Sequence, residues 1–140
     1  MESTGYKIVA LQHLDEFIEK DLLFADEVPY DISSADFINL IRYAEYICTD
    51  SFHGTCFSII NYKKFLTFNR FKPQNIQSTN TRIDSLLKMA GLEERQVSDM
   101  SNTDKLIEKI NKDIDYINVD KRLDIKKRES FSYLSDALEE

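Results

Sequence analysis

The stretch from residue 46 to residue 69, YICTDSFHGTCFSIINYKKFLTFN, constrains the fold more than any other part of the chain. A short apolar run, Tyr46–Thr49, leads into the polar segment Asp50–Gly54. A second apolar run follows, and Lys64–Phe68 again has the composition of a strand. This order predicts a strand, a polar loop, a helix from Gly54 to Asn61 and a second strand, joined by short connections as in a parallel βαβ crossover.

The polar segment places Asp50, Ser51 and His53 at the carboxyl end of a strand and the amino end of a helix. Ligands of open α/β sheets bind at this edge, and a helix amino terminus offers free N–H groups to anions. We therefore expect a site here, where Ser51 and Thr55 cap the helix or contact an anion. Gly54 would let a ligand approach the backbone closely. Asp50 either organises the loop or orients His53.

Charge is distributed unevenly around this segment. The chain has 25 acidic and 18 basic residues, for a net charge of −7, yet residues 51–83 contain five bases and no acid. Removing this +5 leaves −12 on the other 107 residues. The bases are Lys63, Lys64, Arg70, Lys72 and Arg82. Such a window suits a small anion such as phosphate or carboxylate, and Arg70 and Arg82 are the candidate ligands. The alternative is that these bases are ordinary solvated residues.

Composition narrows the class of protein. A length of 140 residues, 42% hydrophobic and 31% charged, is typical of one globular domain. An isoelectric point near 4.9 argues against a nucleic-acid-binding protein. The sequence has neither an apolar run long enough for a transmembrane segment nor a secretory signal. We therefore expect a cytoplasmic protein. The sequence shows no metal-ligand cluster, so we expect neither a metal nor a cofactor.

Apolar spacing predicts the remaining elements. The expected segments are a strand at Tyr6–Leu11, a helix at Leu14–Leu23, a helix capped by Ser33 and ending near Tyr43, a loop at Asn69–Asn80, a helix at Arg82–Ala90 with Gly91 as its C-cap, a short strand or irregular crossing at Glu94–Ser98, and helices at Asn102–Asn111 and Val119–Leu138. Together they predict a single α/β domain over residues 1–140, with a Rossmann-like parallel sheet flanked by helices and a helical C-terminal tail.

The string TDSFHGT at residues 49–55, followed by FSII and KF, resembles the polysaccharide pyruvyl transferase family. The segments RIDSLL at residues 82–87, RESF at 128–131 and DAL at 136–138 are similar to the C-terminal part of that family. The resemblance therefore extends over most of the chain, from about Tyr30 to Glu140.

This resemblance implies a fold similar to GT-B glycosyltransferases, in which two Rossmann-like halves face a cleft, with this chain as the C-terminal, donor-side half. It implies transfer of a pyruvyl group from phosphoenolpyruvate to two hydroxyls of a sugar or lipid-linked oligosaccharide, in the synthesis of a bacterial exopolysaccharide or capsule. His53 matches a family histidine near the donor and would act in acid–base chemistry or donor contact. Arg70 and Arg82 would bind the donor's anionic groups. The enzyme would work in the cytoplasm or at the inner face of the membrane.

Two departures from the family pattern leave alternatives open. Ser51 stands where the family often has arginine, and the family's greater length implies an N-terminal half that we do not expect these 140 residues to include. A dimer or a partner chain is therefore expected to supply that half, and the isolated chain would lack an acceptor site. One alternative is a GT-B-type glycosyltransferase domain, which would prefer a nucleoside diphosphate. The other is a truncated, non-catalytic domain that binds a partner through an exposed apolar face.

Overall fold

A computed structural model describes residues 5–11, 24–69 and 79–139. The helix predicted at Leu14–Leu23 and most of the loop predicted at Asn69–Asn80 lie outside these residues. The chain divides into two compact units, Met1–Ile38 and Asn39–Glu140, and each is described by itself. The single domain predicted over residues 1–140 stays a prediction.

The first unit has one isolated parallel bridge, between Val9 and Glu27, among its described residues. The regular strand predicted at Tyr6–Leu11 is therefore wrong. The Ile8 carbonyl accepts the N–H groups of Asp26 and Glu27 at 2.9 and 3.1 Å. The Ile8 N–H, however, donates to the Asp26 carboxylate at 2.7 Å. A side chain thus takes a donor that a regular strand would offer to a neighbouring backbone.

Helix α1, Ser34–Tyr43, begins at the predicted cap. The Asp36 N–H donates to the Ser33 hydroxyl at 3.2 Å, and the Ser33 N–H donates to the Asp36 carboxylate at 3.0 Å. This reciprocal pair satisfies two backbone donors at the start of the helix, as a capping box does. Hydrogen bonds from Ser33 also hold the pKa of Asp36 below its ordinary value. The cap predicted from the sequence is confirmed.

The second unit contains a three-stranded parallel sheet flanked by helices. Its elements are β1 (Tyr46–Thr49), α2 (Phe52–Ile60), β2 (Lys64–Phe68), α3 (Thr79–Ala90), β3 (Gln96–Val97), α4 (Thr103–Asn111) and α5 (Tyr116–Glu139). The strand order is β1-β2-β3, with Tyr46 opposite Lys64 and Thr67 opposite Gln96. Helices α2 and α3 make the crossovers. The predicted α/β, Rossmann-like class is confirmed, and the relation to half of a GT-B fold stays a prediction.

The core lies around the central strand β2. Phe65, Leu66 and Thr67 are all at most 2% exposed, as expected for a parallel strand covered on both faces. Apolar side chains from three helices and one loop pack with Phe65; they are Ile59, Ile83, Leu87, Ala90, Leu92 and Val119. The crossover helices α2 and α3, together with Leu92 and α5, therefore bury apolar side chains against the sheet.

The end of α3 confirms the predicted C-cap at Gly91. Gly91 has a φ of +72°, the left-handed conformation that glycine adopts without strain. The Leu92 N–H donates to the Leu87 carbonyl at 2.8 Å, and the Gly91 N–H donates to the Lys88 carbonyl at 3.3 Å. These two bonds form a Schellman motif. Because Leu87 and Leu92 are both buried, the turn anchors α3 to the core.

Arg95 binds the carboxyl end of α4, a role that was not predicted from the sequence. Its side chain is fully buried, and its guanidinium donates to the carbonyls of Lys109 at 2.8 Å, Lys112 at 2.6 Å and Asp113 at 3.3 Å. Desolvation lowers the pKa of Arg95 from its ordinary value. The charge thus lies at the negative end of a helix dipole, where it satisfies carbonyls that lack intrahelical partners.

We predict that Arg95→Met lowers the free energy of unfolding by about 1–3 kcal/mol, because it leaves carbonyls without hydrogen-bond donors. Urea unfolding monitored by circular dichroism measures this loss. Arg42 is an exposed arginine in the last turn of α1, so Arg42→Met is the matched control and should change stability by no more than about 0.5 kcal/mol. Equal stability of the two variants would contradict the role given to Arg95.

Candidate functional site

The candidate site is built where β1 ends and α2 begins. Ser51 has the extended backbone of an N-cap residue, with φ −92° and ψ 135°, and its hydroxyl accepts the Gly54 N–H at 3.4 Å. The Ser51 N–H donates to the Thr49 hydroxyl at 3.1 Å. The predicted cap at Ser51 is confirmed, and it starts the helix at Phe52, two residues before the expected start. The Ser51 side chain is therefore engaged in the cap.

Gly54 is required by packing within the protein. It is buried, and a β-carbon at this position would overlap the Thr49 hydroxyl and lie 3.1 Å from the Thr49 β-carbon. The first turn of α2 can therefore approach the end of β1 only because residue 54 lacks a side chain. This contact explains the glycine without a ligand, and a role for Gly54 in substrate binding stays a prediction.

Thr55 holds the same turn from inside. Its side chain is fully buried, and its hydroxyl lies 2.9 Å from the Ser51 carbonyl and 3.0 Å from the Thr67 hydroxyl of β2. These bonds join the start of α2 to the central strand. Thr55 thus fixes the backbone of the site through buried hydrogen bonds. A contact between its hydroxyl and a substrate stays a prediction.

Phe52 brings two predicted site residues together. The exposed His53 ring meets the Phe52 ring edge to face, with centroids 5.8 Å apart. The guanidinium carbon of Arg82, from α3, lies over the same ring, 5.2 Å from its centroid. Phe52 is half-buried and packs against the core. His53 and Arg82 therefore share one neighbour that is itself fixed.

The other predicted residues have different positions. Asp50 is half-buried in the connection between β1 and α2, and Arg70 lies outside the described residues. Lys63 and Lys64 do not join the site. They lie at the opposite, amino end of β2, where Lys63 donates to the Ala44 carbonyl at 3.0 Å.

Lys64 is held at the same end of the sheet. It donates to the Asn111 carbonyl at 3.1 Å and pairs with Asp113 at 2.9 Å. The hydrogen bond between the Lys64 and Asp113 side chains raises the pKa of Lys64 and lowers that of Asp113. The basic window of the sequence therefore is not one patch. In a βαβ crossover, the loop before the helix and the loop after it lie at opposite ends of the sheet. Bases that are close in sequence can therefore lie far apart in the fold.

At the carboxyl edge, Gln96 connects the ends of neighbouring elements. Its amide donates to Asn69 at 2.8 Å and to the Asp84 carboxylate at 2.6 Å. Asp84 follows Arg82 by two residues on α3. This network was not predicted, because it joins residues 12 and 27 positions apart. These hydrogen bonds hold together the segment after β2, the start of β3 and helix α3, at a point two residues from Arg82.

An exposed imidazole and an exposed guanidinium around one aromatic ring can bind an anion and exchange a proton. Across residues 5–11, 24–69 and 79–139, no three histidine, cysteine or acidic side chains are grouped so as to hold a metal ion. No helix within those ranges combines the length and apolar character needed to cross a membrane.

We predict that Gly54→Ala lowers the free energy of unfolding by about 1–3 kcal/mol, because the added methyl overlaps the Thr49 side chain. Thr49→Ala removes the overlapping hydroxyl. In the double variant, the second substitution should therefore cost less than in the wild type, with a coupling of at least about 0.5 kcal/mol in chemical denaturation. Additive losses would show that Thr49 does not impose the glycine.

Comparison with known proteins agrees with the resemblance inferred from the sequence. Residues 2–70 match the family model described as polysaccharide pyruvyl transferase. The match begins upstream of Tyr30 and ends before Arg82, so the resemblance beyond residue 70 stays a prediction. Comparisons with curated proteins and with solved structures returned no match. Over residues 2–70, which are 69 of its 140 residues, the chain is thus similar to the polysaccharide pyruvyl transferase family.

Proposed function

We propose that this chain forms the donor side of a polysaccharide pyruvyl transferase and that His53 and Arg82 contact phosphoenolpyruvate. The observation that carries the proposal is the arrangement of these two side chains around Phe52 at the carboxyl edge of a parallel sheet. The family match supports the class of reaction. The surface polysaccharide and the cytoplasmic location are part of the proposal.

The reaction gives each group a task. The methylene carbon of phosphoenolpyruvate gains a proton and becomes a methyl group, while two sugar hydroxyl oxygens form bonds to its C2. The bond from C2 to the phosphate oxygen breaks. Of the two protons that the hydroxyls lose, one accounts for the proton gained by the methylene carbon, and the other leaves on the phosphate. An imidazole such as His53 can move either proton near neutral pH, and Arg82 can pair with the phosphate or carboxylate.

Ser51 makes Arg82 more important in this proposal. Family members often carry arginine at the position of Ser51, whereas here the Ser51 hydroxyl accepts the helix-capping bond from Gly54. A serine cannot supply the missing positive charge. Arg82 reaches the edge from α3 and is held over the Phe52 ring, so it can replace that charge from a different element. Arg70 is the second candidate for the same task.

We expect calorimetric titration of the chain with phosphoenolpyruvate to give saturable binding. Arg82→Gln should weaken it by about 10- to 100-fold, the loss of one charge-assisted hydrogen bond, and His53→Ala should weaken it as well. Arg42→Gln removes an exposed arginine that precedes β1 and should leave the affinity unchanged.

Uridine diphosphate titrated in parallel separates the alternatives. A preference for the nucleotide would favour a glycosyltransferase domain. If folded protein binds neither compound, the proposal fails and the chain is better described as a non-catalytic domain.

We further predict that Phe52 positions Arg82 through its aromatic face. Phe52→Leu keeps an apolar side chain but removes the ring, and should weaken phosphoenolpyruvate binding by about 2- to 5-fold, the magnitude of a cation–π contact. Phe52→Tyr keeps the ring and should retain the wild-type affinity. Unfolding curves for both variants control for stability. Equal affinities of the leucine and tyrosine variants would refute this role.

A further inference from the structure

The outer half of α5 is largely uncovered by the described residues of its unit. Every residue from Asp124 to Leu138 is exposed, over a helix segment about 22 Å long. Large apolar side chains are among them, with Phe131 69%, Leu134 55% and Leu138 86% exposed. A single helix of this length is marginal in water without a packed face. Apolar residues arranged in this way mark an interaction surface.

One face of this helix forms the wall of an open groove. The groove lies between helices α2, α3 and α5 and has a volume of about 480 Å³. Its apolar lining comes from Cys56, Ile59, Ile60, Leu86, Met89, Leu123, Phe131 and Leu134. On α5 the lining also includes Lys127 and Ser130, so that residues 123, 127, 130 and 134 recur at intervals of three and four along one helix face. The side chains opposite them include the exposed Ile60 and Met89. The groove can therefore receive an apolar helix face.

The charges of the same helix are segregated along its length. Residues 121–128, KRLDIKKR, carry five bases and one acid, a net charge of +4. Residues 129–140, ESFSYLSDALEE, carry four acids and no base, a net charge of −4. Within the described part of the chain, Lys126 and Lys127 form local, exposed ion pairs with Glu129 and Asp124. Such pairs are weak and rearrange readily. Two consecutive segments of the sequence thus carry equal and opposite charge, and residues 121–139 of them lie on α5.

We propose that the groove binds the outer half of α5 from a second copy of this chain, with the two helices antiparallel. This orientation places each +4 segment beside the −4 segment of the other copy, whereas a parallel pair would oppose like charges. Both copies insert the same Phe131 and Leu134 face, so the contact is isologous and closes as a two-fold dimer. The inference concerns a surface outside the candidate site and does not rest on the proposed function.

The test is sedimentation of the 140-residue chain over a concentration series, with two matched aspartate substitutions. Leu134 lines the groove, whereas Ile125 is 57% exposed and does not line it. Leu134→Asp should raise the dimer dissociation constant by more than about tenfold, since it removes a buried leucine from the interface. Ile125→Asp should leave the constant within about twofold, and circular dichroism shows whether both variants keep the helix.

A charge exchange tests the antiparallel orientation. Lys126→Glu with Arg128→Glu brings segment 121–128 to zero, and Glu129→Lys with Asp136→Lys brings segment 129–140 to zero. Each doubly substituted chain should dimerise more weakly than wild type at low salt, and an equimolar mixture should regain a heterodimer. A monomeric wild type at high concentration would overturn the proposal. Equal effects of Leu134→Asp and Ile125→Asp, or no gain on mixing, would also overturn it.

Discussion

The candidate site depends on the close approach of the first turn of α2 to the last residue of β1. The Thr49 hydroxyl accepts the Ser51 N–H, and the Thr49 side chain leaves no room for a side chain at Gly54. Thr55 then joins this turn to β2 through Thr67. Because these contacts are buried and local, they fix the backbone on which His53 is exposed. A mobile connection at this point could not orient an imidazole toward a substrate.

The two ends of the sheet have different tasks. At the amino end, Lys63 and Lys64 donate to backbone carbonyls, so their charges serve to hold neighbouring elements in place. Arg95 does the same for the end of α4 from a fully buried position. At the carboxyl end, Arg82 is exposed and contacts an aromatic ring. Bases of the same formal charge thus divide into those engaged by the fold and one that faces solvent beside the candidate site.

Much of the local structure could be read from the sequence. Strands β1 and β2 were predicted with their observed limits, because each is a short, mostly apolar run bounded by polar residues. The caps at Ser33, Ser51 and Gly91 follow from side chains and backbone conformations that act within a few residues. The regular strand predicted near residue 9 failed because a carboxylate competes with the backbone for one N–H group. That competition leaves no periodic pattern in the sequence.

The sequence by itself determined the order of the elements, the parallel crossover, the polar loop with His53 and the resemblance to a family. Tertiary structure decided which distant residues meet. It placed Arg82 over Phe52, thirty positions away in the chain, and it turned Lys63 and Lys64 to the other end of the sheet. It also left the outer half of α5 exposed. The physical reason is that caps and hydrophobic periodicity act over a few residues, whereas contacts between crossovers depend on how each helix packs across the sheet.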